Sequence, residues 1–159
     1  MVNSTTTLNF PYASSTFEIT YKMESSVAST IFVPKTNNTV AFGHVSSTAI
    51  CAKTGGSGLT IKTLAYPTDV CTTSFIYNST IIENVILGGR WNDTSSNNSW
   101  TIDSAGNNVI GMRPGQANYK FVGRIYCIRI YNRALSIEEM KYNQHVDNVR
   151  FGLGLAETL

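Results

Sequence analysis

Charge is scarce in this chain. Only 14% of its 159 residues are Asp, Glu, Lys or Arg, against about 25% in an average globular protein. The net charge is +2 and no cluster of Lys and Arg forms a basic stripe, so no nucleic-acid partner is expected. Cysteine is scarce too. Three are present, Cys51, Cys71 and Cys127, and an odd number rules out a complete intramolecular disulfide framework. A Cys51–Cys71 bridge and three reduced thiols packed as small hydrophobes both remain open. No Cys-x-x-Cys or Cys/His cluster occurs, so zinc is not expected. No apolar run reaches the length needed to cross a membrane. The opening Met1-Val2-Asn3-Ser4-Thr5-Thr6-Thr7 has neither a basic nor an apolar region, and it does not read as a signal peptide.

Closely spaced acidic residues are also missing. Among ten Asp and Glu, the only pair closer than five positions is Glu138-Glu139. Two carboxylates flanking a glycosidic bond would be supplied from a strand by acidic residues two or four positions apart. His44 and His145 lie in no Ser or Cys nucleophile motif. The sequence therefore predicts a chain that is not an enzyme. Gly55-Gly56-Ser57-Gly58 lacks the Lys-Ser/Thr end of a phosphate loop, and no helix pattern follows it. It reads as a hairpin turn that needs glycine's positive φ.

What fills the gap left by charge is Ser, Thr and Asn, about a third of the chain. With Val, Ile, Tyr and Phe they make a mixture of strand formers and turn formers. Residues 17–23, 30–33, 39–43, 49–53, 59–64, 75–77, 84–89 and 109–112 read as short strands. Turn residues separate them at the spacing of a sandwich or barrel. No repeat or linker divides the chain, so residues 1–159 are expected to form one domain.

The C-terminal quarter is the most specific stretch. Ile128 and Ile130 alternate with Arg129 and Tyr131, so one face of a strand can enter a core while the other stays polar. Asn132-Arg133 breaks it. Ser136 stands three residues before Glu139, the spacing of a capping box. That predicts a short helix over 137–143, with Arg150-Phe151-Gly152 as a last strand; Leu8–Phe10 and Phe151–Leu153 are candidates for a pair of terminal strands.

The phrase Arg129-Ile130-Tyr131-Asn132-Arg133-Ala134-Leu135-Ser136, with Glu138, Glu139 and Arg150 to Gly152, resembles the end of concanavalin A-like lectin/glucanase domains of the laminin-G type. The resemblance implies an all-β fold: a two-sheet antiparallel jelly-roll sandwich with one short C-terminal helix. It implies recognition, adhesion or virion roles as readily as hydrolysis, because one fold hosts many functions. The Glu-x-Asp pattern of the family's glucanases is absent here. Calcium is common in such domains, held by loop oxygens. Asp69, Asp93 and Asp103 fall in expected loops, though no alternating Asp/Asn run ending in Glu occurs.

Sugar recognition needs flat apolar faces together with short polar side chains. Trp91 and Trp100, the only two tryptophans, bracket a loop rich in Asn and Ser, and loops carry binding on β-sandwiches. Trp91 and Trp100 are the candidate platforms, with Asn92, Asp93, Asn97 and Asn98 as hydroxyl partners. Tyr77, Tyr119 and Arg113 are candidates from other segments. The leading expectation is a surface recognition module binding a glycan or cell-surface polysaccharide. It would be extracellular, on a bacterial surface or in a phage virion. The competing expectation is a structural or assembly domain with virion or surface proteins as partners and no sugar ligand. No membrane insertion is expected.

Overall fold

A computed structural model of the protein describes residues 2–4, 14–25, 28–33, 40–46, 49–54, 57–63, 69–78, 81–86, 89–91, 108–113, 115 and 118–155. Among them are eleven strands and one helix. The strands are β1 (Val2–Ser4), β2 (Ser14–Met23), β3 (Ser29–Val33), β4 (Val40–Ser46), β5 (Ala49–Thr54), β6 (Ser57–Thr63), β7 (Cys71–Asn78), β8 (Ile81–Ile86), β9 (Gly89–Trp91), β10 (Asn108–Ile110) and β11 (Gly123–Tyr131). The helix is α1 (Ile137–Phe151). Two sheets result, with strand orders β1-β10-β3-β4-β5-β6 and β11-β2-β7-β8-β9. Every strand pair is antiparallel. No helix among the described residues is long and apolar enough to cross a membrane.

The residues fall into two compact units, each holding one sheet. The first takes Met1–Phe10, Glu24–Tyr66 and Asn97–Val122. β3 is buried throughout, with Ile31, Phe32 and Val33 all at 2% exposure or less. Phe32 lies opposite Phe42 of β4, and the rings stack with centroids 6.4 Å apart, a favourable offset separation. Val33 packs with Val109 of β10 and Met112. Gly111, in the left-handed region at φ 84°, turns the chain so that its N–H donates to Ile31 O while its carbonyl accepts from Phe121 N. The expected hairpin over 49–64 forms as β5 and β6, with Thr54 facing Ser57.

The second unit takes Pro11–Met23, Pro67–Ser96 and Gly123–Leu159. β2 is flanked by β11 and β7. Phe17, Ile19, Tyr21 and Met23 occupy one face and are buried, as strand alternation requires. Thr16, Glu18 and Thr20 occupy the other face and are fully buried as well. The strand is thus covered on both faces.

The cover on the polar face is α1. It begins as the sequence predicts: Ser136 Oγ accepts from Glu139 N at 3.2 Å, and Glu139 Oε2 accepts from Ser136 N at 2.9 Å. Arg133 adds a fork to the Glu139 carboxylate at 2.8 and 2.5 Å. Arg133 and the cap together hold the Glu139 carboxyl down at about 2. We expect Ser136→Ala to cost about 1 kcal/mol in thermal denaturation. The Glu139 contribution is present above its ordinary value of 4.5 and is lost as pH falls toward about 2. An unchanged melting midpoint for Ser136→Ala at neutral pH would refute the first expectation.

The helix is longer than its sequence suggests, reaching Phe151 rather than Asn143. Its inner stripe is Met140, Gln144 and Asp147, so two of three buried positions are polar and the apolar period fades. The expected last strand over 150–152 is instead the final turn, capped by left-handed Gly152 (φ 61°) whose N–H donates to Asn148 O. Phe151 meets Tyr126 of β11 at 5.7 Å between centroids. The other half of the expected terminal pair, Leu8–Phe10, lies outside the described residues. The expected strand over 84–89 is a second correction: β8 ends at Ile86, which faces Gly89 of β9 in register.

Candidate functional site

Two side chains of β2 tie down the segment between the end of β11 and the start of α1. Thr16 Oγ1 donates to Arg133 O and accepts from Leu135 N, both at 2.9 Å, while Ser14 Oγ accepts from Ala134 N at 2.9 Å. The segment between β11 and α1 is thereby held on β2. Leu135 then packs with Met140 and Ile76, with Tyr131, Ala134 and Ile137 against them.

Beside this plug lies an open groove of about 320 Å³. Tyr131 and Arg133 form one side, Glu138, Tyr142 and Asn143 the other. Tyr142 is 68% exposed. Asn143 Nδ2 donates to the Tyr131 hydroxyl at 2.9 Å. Burial pushes the Tyr131 phenol above its usual range, against the opposing effect of the Asn143 bond.

Under the helix sits an ion cluster. Arg129 of β11 faces Glu18 of β2, which faces Ser74 of β7. Arg129 Nη1 donates to Glu18 Oε1 at 3.2 Å and to Asp147 Oδ2 at 2.8 Å, and its Nη2 donates to Asp147 Oδ1. Thr20 Oγ1 donates to Asp147 Oδ2 at 2.6 Å, and Ser74 Oγ to Glu18 Oε2 at 3.2 Å. Both carboxylate side chains are fully buried. Burial drives the Glu18 carboxyl above its ordinary value of 4.5 although Arg129 opposes the shift. Asp147 raises the Arg129 guanidinium above its ordinary value. The geometry is that of a bidentate arginine fork in a dry setting, where such pairs are most directional. Sequence spacing gave no sign of this carboxylate pair, since Glu18 and Asp147 come from opposite ends of the chain. Two signs were available: an acid inside a strong alternating strand, and an acid on the same helical stripe as Met140.

The other expected residues are distributed as follows. Trp91 ends β9, the edge strand of the second sheet, and faces Asn84 in register. Its side chain, and all of Asn92, Asp93, Asn97, Asn98 and Trp100, lie outside the described residues. Asp69 is exposed, while Asp93 and Asp103 lie outside the described residues. Among the described residues no group of three His, Cys, Asp or Glu is placed to hold a metal ion. Arg113 is buried and Tyr119 is half-buried, both in the first unit. Tyr77 belongs to β7 and its side chain is outside the described residues. His145 is exposed on α1, and His44 lies within β4 rather than after it. Cys71 is an unbonded, buried thiol, raised to about 11 by its burial. The Cys51–Cys71 bridge is therefore not formed.

No family profile and no curated protein sequence matches the chain. Solved structures share its fold. A candidate carbohydrate binding protein from Bacteroides ovatus superposes with a TM-score of 0.64 at 14% identity, over 84% of this chain and 41% of that one. Trypanosoma rangeli sialidase superposes with a TM-score of 0.60 at 12% identity, over 91% of this chain and 24% of that one. The same sialidase with sialic acid gives 0.61 at 10% identity, again over 91% and 24%. The chain thus spans less than half of the first protein's length and about a quarter of the second's. At these identities the likeness concerns the fold.

One expectation is corrected by the comparison. The missing carboxylate spacing predicted a chain that is not an enzyme. Chains of sialidases contain this fold, so a missing Glu-x-Asp spacing does not set the chain apart from enzymes.

Proposed function

We propose that the chain is a carbohydrate-binding domain of the concanavalin A-like, laminin-G type, with the jelly-roll connectivity that type implies. The observation that carries the reading is the fold shared with a candidate carbohydrate binding protein over 84% of the chain at a TM-score of 0.64. The C-terminal phrase from Arg129 to Ser136 supports the same assignment, as does a composition rich in Ser, Thr and Asn. The residues proposed to touch the sugar are Trp91, Asn92, Asp93, Asn97, Asn98 and Trp100. Indole faces would stack on pyranose C–H groups, and the short polar side chains would bond hydroxyls at little entropic cost. We place the domain outside the cell, at a bacterial or virion surface.

A glycan array, run with and without calcium, tests this. Specific binding is expected, and Trp91→Ala/Trp100→Ala should remove it while the fold is retained. Dependence on added calcium would bring Asp69, Asp93 and Asp103 into the site. Because sialidases share the fold, sugars that bind should also be checked for cleavage. A folded protein that binds nothing on a broad array would refute the reading and favour a structural or assembly domain.

A further inference from the structure

We propose that the groove between the end of β11 and the first two turns of α1 is a second carbohydrate contact, taking a neutral sugar unit. The inference rests on the carbohydrate reading above and extends it to residues that reading does not use.

The groove offers each element such a contact needs. Tyr142 presents a ring that is 68% exposed, a large apolar face held on a rigid helix. The Tyr131 hydroxyl accepts from Asn143, and its own proton has no acceptor among the described residues. Glu138 is an exposed carboxylate at the same groove, with no hydrogen-bonding partner among the described residues. One unspent donor and one unspent acceptor thus flank an aromatic platform, the arrangement that recognises adjacent hydroxyls. The volume of about 320 Å³ lies at the small end of ligand sites, suited to one or two sugar rings. Charge sets the class. Arg133 is occupied by Glu139, which leaves Glu138 as the uncompensated charge. An acidic sugar would meet repulsion there, and a neutral one would not.

Trp91 lies in the row Asn84, Phe75, Phe17, Ile130. Tyr131 is the next residue of β11 and pairs with Thr16, so it belongs to the opposite face of the sheet. The groove is therefore proposed as a contact in its own right, independent of the tryptophan residues.

Amide-resolved NMR titrations with lactose, cellohexaose, maltohexaose, chitohexaose and sialyllactose test the proposal. A neutral hexasaccharide is expected to shift the amides of Leu135, Tyr142 and Asn143. Tyr142→Ala should weaken that binding about tenfold and Tyr131→Phe about threefold, each with an unchanged melting midpoint. Sialyllactose should bind more weakly than lactose. If a sugar binds and Tyr142→Ala leaves its affinity unchanged, the groove site falls and the carbohydrate reading survives. If sialyllactose binds the groove most tightly, the assigned sugar class is wrong. If no probe shifts any amide, the groove site is overturned, and the glycan array decides separately whether the carbohydrate reading falls with it.

Discussion

Replacing Arg129 with alanine should remove about 3–5 kcal/mol of folding stability, the cost of leaving buried charges without their partner. Glu18 and Asp147 both depend on this one guanidinium, and neither side chain touches solvent. Thr20 and Ser74 donate to them, but a hydroxyl does not neutralise a carboxylate. Arg129→Lys should recover only part of the loss, because an ammonium is a point charge without the planar fork that grips Asp147. Combining Glu18→Gln, Arg129→Met and Asp147→Asn should recover most of it, since a buried ion cluster is costly to break and cheap to replace as a whole. Urea unfolding of the four proteins measures this. A loss below about 1 kcal/mol for Arg129→Ala would refute it.

The sign of the pH dependence follows from Glu18. Its folded-state pKa lies above 4.5, so the folded protein holds that proton more tightly than the unfolded chain does. The stabilisation from proton uptake is complete below 4.5 and is lost as pH rises through the folded-state value. Without Arg129 the largest opposing influence is gone, and only hydrogen bonds such as that from Ser74 still hold the value down. The destabilisation by Arg129→Ala should therefore shrink in acid and grow toward neutral pH. The reverse trend would show that the carboxylates do not carry the penalty.

Gly43→Ala should be nearly as damaging, by about 3 kcal/mol, for a reason that involves no charge. Gly43 sits on β4 between Thr30 of β3 and Cys51 of β5. The β3–β4 register slips between Thr30 and Phe32, and the backbones come close there. A methyl at Gly43 would lie 2.3 Å from Ser29 O and 2.9 Å from Thr30 Cα. Backbone atoms in the middle of a sheet cannot step aside without breaking pairings. Gly152→Ala is the control. Gly152 is left-handed, but a methyl there meets nothing within 4 Å, so only conformational strain of about 1 kcal/mol is expected. If Gly152→Ala proves the more harmful in denaturant unfolding, the crowding argument at Gly43 is wrong.

The sequence disclosed local structure well and tertiary placement poorly. Ser136 and Glu139 announced the helix start because both halves of a capping box lie within four residues. Alternation from Phe17 to Met23 announced β2. The helix end stayed hidden because Gln144 and Asp147 are buried polar residues on its inner stripe, Asp147 bonded there to Arg129 and Thr20, where helical periodicity expects apolar side chains. The partnership of Glu18 and Asp147 leaves no trace in spacing, so only their unusual positions, one inside an alternating strand and one on the Met140 stripe, hint at the ion cluster. The groove was equally hidden, since Tyr131 comes from a strand and Tyr142 from a helix. Only the tryptophan pair lies within one stretch of sequence, which is why a site could be suggested there first.

The order in which these parts leave the ribosome matters as well. β2 is made early, yet Glu18 meets Arg129 only across 111 residues of chain, and Thr20 meets Asp147 across 127. Contacts of such span make folding slow, because a large loop must close before any of them stabilises the chain. Until β11 and α1 emerge, the nascent β2 carries an acid with no counter-charge on a face still open to water. The second unit is therefore assembled late, and its closing step is the arrival of one arginine.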